Sequence, residues 1–210
     1  MPIIYINGIN TSEIEANGQA RLLGDLTGRK CELCYNKTAT AVVDLMESLY
    51  NRWAYWLVPL PVTRKLRKRI RSHLSLEATV HVVAHSQGTV IAMNAVRGLT
   101  LGERKRVTMT LFAPVATQEP DFVDVEYFRN EFDYVVQALP GTWILRLLRR
   151  MQGKRKERAG KTHVRRGAKG HALTMSYLKH LKDFETYESS GIWRIINESR
   201  FDEWYSRLVK

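Results

Sequence analysis

Residues 79–88 are Thr-Val-His-Val-Val-Ala-His-Ser-Gln-Gly, and residues 89–96, Thr-Val-Ile-Ala-Met-Asn-Ala-Val, continue with small and apolar side chains. The first part has the character of a buried strand, and the run after Gly88 is apolar nearly all round a helix. A strand that turns directly into a helix predicts a sharp turn that lifts the Ser86 hydroxyl above a parallel sheet. Ser86 is therefore the candidate nucleophile, although a serine that caps a helix would follow the same pattern.

The rest of the chain alternates apolar strand patterns with helical ones. This alternation predicts an α/β fold, a mostly parallel sheet with helices on both faces, in one domain over residues 1–210. A loop is predicted over 153–170, where glycine and alanine are mixed with dense charge. Predicted strands cover 2–7, 31–35, 79–84, 107–114 and 125–132, and predicted helices cover 11–26, 41–53, 64–74, 175–184 and 192–208.

A serine nucleophile needs an imidazole to take its proton, and in this kind of fold the histidine follows the serine and the acid along the chain. His163, His171 and His180 all follow Ser86. His171 comes after a glycine and directly before a helical pattern, where a loop can hold the imidazole over the turn. His171 is the predicted base, since His163 lies among arginines and lysines and His180 within a predicted helix.

The acid that orients the histidine is sought among Asp121, Asp124 and Asp133. Catalytic groups of open parallel sheets gather at the carboxyl ends of the strands. Asp133 directly follows the predicted strand 125–132, and this position favours Asp133, with Asp124 as the alternative.

The backbone N–H groups of Gln87 and Ile9 are the predicted oxyanion-hole donors. Gln87 follows the nucleophile, and Ile9 lies in the turn Ile-Asn-Gly-Ile-Asn-Thr at 6–11, after the first strand. Asn10 or Thr11 is also expected to cap the helix that follows. His85 cannot readily act as the base, because adjacent residues on a sharp turn point in different directions, and His81 is expected to pack in the core.

Four segments together resemble the α/β-hydrolase superfamily: Ile-Tyr-Ile-Asn-Gly-Ile-Asn at 4–10, Val-Val-Ala-His-Ser-Gln-Gly-Thr at 82–89, Arg-Asn-Glu-Phe-Asp-Tyr-Val at 129–135 and Gly-His-Ala-Leu at 170–173. The chain is most similar to the lipase and serine esterase branch that includes GPI inositol-deacylase-like proteins. The resemblance implies a Ser86–Asp133–His171 triad, no cofactor, no metal, and hydrolysis of carboxylic esters, often lipid esters. Asn7 stands where many members have histidine, and Ala84 where they have glycine.

The net charge of +12 is concentrated in two segments, 64–72 with +6 and 142–167 with +9, so the remainder carries 12 − 6 − 9 = −3. Residues 142–170 are expected to form a basic amphipathic insertion or loop between the acid and the histidine. Trp143 with Arg146, Arg149 and Arg150 gives the insertion the character of a helix that contacts an anionic membrane. Packing of the apolar face of that helix on the sheet is the alternative.

Other classes of protein fit less well. A non-catalytic hydrolase-like module that binds anionic membrane or nucleic acid is the alternative function, but no nucleic-acid module is recognisable. Cys31 and Cys34 are expected to be two ordinary thiols, because side chains three apart in a strand point to opposite faces. No apolar stretch reaches about 18 residues and no basic leader begins the chain, so a cytoplasmic location, at most peripheral to a membrane, is expected.

Overall fold

The computed structural model describes residues 1–37, 61–115, 123–133 and 161–209. Its strands are β1 (Ile3–Ile6), β2 (Cys31–Leu33), β3 (Val80–His85), β4 (Val107–Phe112), β5 (Asp124–Phe132) and β6 (Lys161–Lys169). They form one sheet in the order β2-β1-β3-β4-β5-β6, and every neighbouring pair is parallel.

Helices connect these strands and close the described part of the chain. They are α1 (Glu13–Thr27), α2 (Pro61–Leu74), α3 (Gln87–Arg97), α4 (Leu101–Arg104), α5 (Gly191–Ile195) and α6 (Glu198–Val209). Between β6 and α5 the chain makes short helical turns that are not α-helical: a π-helical turn at Leu173–Tyr177 and 3₁₀ turns at Leu178–Asp183 and Tyr187–Ser189.

Both faces of the sheet are covered, which explains why β1 and β3 are buried along their whole length. Successive side chains of a strand point to opposite faces. Ile4 and Ile6 accordingly pack with α2 and α3, whereas Ile3 and Tyr5 pack with α1, α6 and the turns after β6. The α/β class predicted from the sequence, with helices on both faces of a parallel sheet, is confirmed.

The strand order reverses between β1 and β3. From β1 the chain first adds β2 on one side and then returns to add β3 on the other. In open parallel sheets, the crevice at such a reversal, outside the carboxyl ends of the strands, is where ligands bind. The turn after β1 and the turn after β3 therefore lie side by side at this position.

The loop predicted over 153–170 is wrong for its second half, because residues 161–169 form β6. His163 is buried in this strand and stacks on Phe128 with ring centroids 4.6 Å apart. The dense charge misled the prediction: arginine and lysine are common on strands at the edge of a sheet, where they discourage pairing with other chains.

The two predicted closing helices also differ from the structure. The helix expected over 175–184 is replaced by the tight turns after β6. The helix expected over 192–208 is divided at Ile196 and Asn197, where the Asn197 N–H donates to the carbonyl of Leu26 on α1 at 2.7 Å. This contact draws the backbone out of helical geometry and ties the carboxyl-terminal helices to α1.

Two predictions fall outside the described residues: the helix over 41–53, and the amphipathic helix with Trp143, Arg146, Arg149 and Arg150. The two cysteines are free thiols that face opposite sides of the sheet, Cys34 with α2 and Cys31 towards α1. Across the described ranges, no helix combines the length and the apolar character that crossing a bilayer requires.

Candidate active site

Ser86 occupies a sharp turn between β3 and α3. Its backbone has φ 52° and ψ −124°, a left-handed φ that is costly for a residue with a side chain. Ser86 stands at the N-cap position of α3, yet its side chain makes no capping hydrogen bond. The capping alternative therefore does not describe this serine, and the predicted strand-to-helix turn is present.

Two glycines allow the segments around Ser86 to approach closely. A Cβ added to Gly88 would lie 2.7 Å from the backbone oxygens of both Ile6 and Asn7, so α3 starts in direct contact with the end of β1. A Cβ added to Gly8 would lie 2.8 Å from the Ser86 Cβ. Only glycine fits at either place, and as a result the turn after β1 lies against the serine.

His171 links Ser86 to Asp133 in one hydrogen-bonded chain. Its Nε2 lies 2.8 Å from Ser86 Oγ, and its Nδ1 lies 3.0 and 2.9 Å from the Asp133 oxygens Oδ1 and Oδ2. A carboxylate only accepts hydrogen bonds, so Nδ1 carries the proton and Nε2 is left to accept from the serine hydroxyl. The three predicted residues thus come together in the order that a serine–histidine–acid triad requires.

Asp133 is buried at the carboxyl end of β5, and Tyr177 also holds it. The Tyr177 hydroxyl donates to Asp133 Oδ2 at 2.8 Å. Burial, followed by the nearby Asp133 charge, raises the pKa of Tyr177, so this group stays a donor. The alternative acid, Asp124, is the first residue of β5 and is in register with Thr108 on β4. It therefore lies at the amino end of the strand, whereas Asp133 and His171 lie at the carboxyl end.

The backbone around His171 is fixed by a turn and by one asparagine. Gly170 has φ 102°, which residues with a side chain rarely adopt. A Cβ added to Gly170 would lie 2.5 Å from Ser176 Oγ. Asn130 on β5 is buried and donates through Nδ2 to the carbonyls of Gly170 at 3.0 Å and Ser176 at 3.1 Å. The acid and the histidine loop are therefore both fastened to β5.

The other described histidines have different surroundings. His85 is buried beside His171 and its Nε2 donates to the His171 carbonyl at 2.6 Å, whereas Ser86 Oγ contacts Nε2 of His171. Burial, and then the His171 charge, lowers the pKa of His85 to about 3. His81 is buried between Thr108 and Thr110 as expected of a core residue, and burial lowers its pKa to about 4. His180 pairs with Asp183 on the surface.

The turn after β1 adjoins the serine and carries Ile9, one of the two predicted oxyanion donors. Gln87 is buried at the start of α3, and Ile9 is half-buried next to Gly8. The cap of α1 differs from the expected Asn10 or Thr11: Ser12 is the N-cap, and its hydroxyl accepts from the Glu15 N–H at 3.2 Å. The oxyanion role of the two N–H groups stays a prediction.

Comparison with known families identifies the chain. A family model described as alpha/beta hydrolase of unknown function (DUF900) matches residues 64–178, more than half of the chain. The chain belongs to this α/β-hydrolase family. The matched region of this hydrolase contains Ser86, Asp133 and His171. The predicted superfamily is confirmed, whereas the narrower resemblance to GPI inositol-deacylase-like proteins stays a prediction.

Several solved structures resemble this α/β hydrolase at low identity. A protein from Xanthomonas campestris pv. campestris, described under the alpha/beta superfamily of hydrolases, is 14% identical with a TM-score of 0.48, over 98% of each chain. LpqC, a poly(3-hydroxybutyrate) depolymerase from Bordetella parapertussis, is 12% identical with a TM-score of 0.48, over 81% of this chain and 73% of that one. TT1662 from Thermus thermophilus is 13% identical with a TM-score of 0.46, over 82% of both chains. Curated protein sequences give no match.

Sequence patterns did not indicate the residues that support the site. Tyr177 and Asn130 each look like ordinary residues of a predicted helix or strand, and no motif marks either of them. One signal was available: an asparagine within a predicted buried strand needs hydrogen-bond partners, and at the carboxyl end of the strand those partners belong to the site. Among the described residues, no three histidine, cysteine or acidic side chains cluster as metal ligands would.

Proposed function

We propose that this α/β hydrolase is a serine esterase that cleaves carboxylic esters of lipid-like acids through an acyl-enzyme intermediate. The main support is the continuous hydrogen-bonded chain from Ser86 Oγ through His171 to Asp133, with contacts of 2.8 to 3.0 Å. The left-handed backbone of Ser86 adds to it, because a strained conformation at such a position is typical of a functional turn.

In the proposed reaction, Ser86 Oγ attacks the ester carbonyl carbon while its proton passes to Nε2 of His171. The negative oxygen of the tetrahedral intermediate is held by the N–H groups of Ile9 and Gln87. His171 then gives its proton to the departing alcohol, which leaves an acyl group on Ser86. Water repeats the sequence: its proton goes to His171, its oxygen attacks the acyl carbon, and the acid is released as Ser86 regains a proton.

Asp133 has a positional and electrostatic part in this scheme. By accepting a hydrogen bond from the Nδ1–H group of His171, it keeps Nε2 unprotonated in the resting enzyme and stabilises the imidazolium that forms during each step. Tyr177 and His85 support the two ends of this pair, one through the Asp133 carboxylate and the other through the His171 carbonyl.

The lipid-like character of the substrate is suggested by apolar side chains that stay exposed next to the site in sequence. Ile14 is 87% exposed in the first turn of α1, Met175 is 54% exposed four residues after the histidine, and Phe132 is 39% exposed beside the acid. All three belong to segments at the carboxyl edge of the sheet. Exposed apolar side chains at this edge of the sheet suit an acyl chain better than a polar acid.

The nucleophile can be tested with a fluorophosphonate probe, which reacts with activated serines, followed by peptide mass spectrometry. We expect one adduct on Ser86, none in Ser86→Ala, and labelling slowed at least about 1,000-fold in His171→Ala, since the triad members act as one unit. His180→Gln is the matched control, because it disrupts another histidine–aspartate pair, and it should label normally. An unlabelled but folded wild-type protein would contradict the proposal.

The substrate class is tested separately with p-nitrophenyl esters of acyl chains from two to twelve carbons. We expect kcat/KM to rise with chain length, because each methylene that leaves water contributes about 0.8 kcal/mol. If acetate is hydrolysed as well as decanoate, the acyl preference is wrong while the esterase assignment stands.

A further inference from the structure

Three buried side-chain amides join the ends of β1, β2 and β3 beneath the candidate active site. Asn7 follows β1, Asn36 lies shortly after β2, and Gln87 begins α3 after β3. Asn36 Nδ2 donates to Gln87 Oε1 at 2.8 Å, and Asn36 also contacts Asn7 through its backbone. Buried amides are costly unless they are hydrogen-bonded, so a cluster of this kind is maintained by specific partners.

Within this amide cluster, the amide group of Asn7 is held at both ends. Its Nδ2 donates to the carbonyls of Gly8 at 2.9 Å and Asn36 at 3.0 Å, and its Oδ1 accepts from the Asn36 N–H at 2.8 Å. Both N–H bonds and the oxygen are therefore engaged. The pair of bonds with Asn36 fixes the rotation of the amide, which in turn fixes the donor that reaches Gly8.

The Gly8 carbonyl and the Ile9 N–H are two edges of one peptide plane. A trans peptide is rigid and nearly flat, with its oxygen and hydrogen pointing in opposite directions. A hydrogen bond that holds the Gly8 oxygen consequently sets the direction of the Ile9 N–H. This plane adjoins the nucleophile, because a Cβ on Gly8 would lie 2.8 Å from the Ser86 Cβ.

We infer that Asn7 is a positioning residue that aims the Ile9 N–H at the oxyanion. The inference rests on the proposed esterase function and assigns a role to a side chain that touches no substrate. Gly8 permits many backbone conformations, so without the Asn7 bond the peptide could rotate and carry the Ile9 N–H away. Asn36 contributes the backbone groups that hold Asn7, whereas its side chain contacts Gln87.

The variants that separate these roles are Asn7→Ala, Asn7→Asp and Asn36→Ala. Asn7→Asp keeps the shape of the side chain but cannot donate to Gly8. Asn36→Ala is the matched control: it also removes a buried amide, yet it keeps the backbone groups that contact Asn7. Reactive sites are counted with the fluorophosphonate probe, so that kcat refers to folded enzyme only, and thermal unfolding is followed in parallel.

An oxyanion donor acts on the transition state and hardly on the bound ester, so kcat should fall while KM stays within about twofold. We expect a loss of about 10- to 100-fold in kcat for both Asn7 variants, somewhat below the 100- to 1,000-fold typical of deleting a donor. The inhibition constant of an alkyl boronic acid, which forms a tetrahedral adduct with the serine, should rise by a similar factor. Asn36→Ala should lose thermal stability but keep kcat within about threefold.

The wild-type enzyme offers a readout that needs no variant. In a spectrum of ¹⁵N-labelled protein, the Ile9 amide proton should move downfield when the boronic acid binds, as expected of a donor to a negative oxygen. An unmoved Ile9 resonance would overturn the inference, as would folded Asn7→Ala with wild-type kcat or an equal loss of kcat in Asn36→Ala. Failure of the proposed function is distinct from these results, because it appears as wild-type protein that neither labels at Ser86 nor cleaves esters.

Discussion

Two buried histidines should make the stability of this hydrolase fall as the pH is lowered. Burial lowers the pKa of His81 from 6.5 to about 4 and that of His85 to about 3. The unfolded chain therefore binds protons at a pH where the folded chain does not, and the free energy of unfolding decreases with falling pH. This stability is present in full above pH 6.5 and is lost progressively down to the folded pKa values.

The size of the effect follows from these pKa values. One pKa unit corresponds to about 1.4 kcal/mol, so between pH 7 and pH 5 each histidine should remove about 1.8 kcal/mol. Together they should remove about 3.6 kcal/mol, a large part of the 5–15 kcal/mol typical of a folded domain. Glu126 acts in the opposite direction, since burial raises the pKa of its carboxyl group.

Urea unfolding followed by circular dichroism at pH 7, 6 and 5 measures this dependence. His81→Gln and His85→Gln each remove one titrating group. In each variant, the decrease in the free energy of unfolding between pH 7 and pH 5 should therefore be smaller than in the wild type by about 1.8 kcal/mol. The comparison uses only the dependence of the free energy of unfolding on pH. A loss of stability that is the same at every pH does not affect this dependence. Slopes that are unchanged in both variants would refute the reasoning from buried neutral imidazoles.

Three other substitutions have clear expectations. Tyr177→Phe removes the donor to Asp133, and a hydrogen bond to a charged group contributes about 1.5–3 kcal/mol, so a thermal melt should show Tm lower by about 3–12 °C. An unchanged Tm would show that this bond contributes little. Gly88→Ala places a Cβ 2.7 Å from the backbone oxygen of Asn7, so both Tm and the fluorophosphonate labelling rate should decrease. Labelling at the wild-type rate would mean that the turn relaxes around the added methyl group. Gly18→Ala, in an open part of α1, is its control and should raise stability by about 0.5–1 kcal/mol; a loss in chemical denaturation would contradict this.

The features that the sequence predicted well are those encoded in short stretches. The turn at Ser86 is predicted by an apolar strand, by Gly88 and by a helix of small and apolar residues, all within residues 79–96. The parallel sheet follows from alternating strand and helix patterns. Asp133 and His171 were chosen by their positions after a strand and before a helix, and the structure brings both to Ser86, although their catalytic roles are still to be tested.

The features that the sequence did not reveal depend on contacts between distant positions. Tyr177 meets Asp133 across 44 positions, and Asn36 meets Gln87 across 51. No periodic pattern records such a pair, because each side chain alone looks like an ordinary polar or aromatic residue. Strand β6 was missed for a related reason: its composition suits a loop, and only the open edge of β5 gives its backbone a partner.

The long separation between the parts of the candidate site has a consequence for how the enzyme is made. Ser86 and His171 are 85 positions apart, and the parallel pairing of β1 with β3 joins segments on either side of β2. Contacts of this range form only after a large loss of chain entropy, so they come late in folding. A nascent chain whose β3 has already left the ribosome therefore has Ser86 but no base to activate it. The proposed hydrolytic activity begins only when the segment that carries His171 has been synthesised and has packed on the sheet.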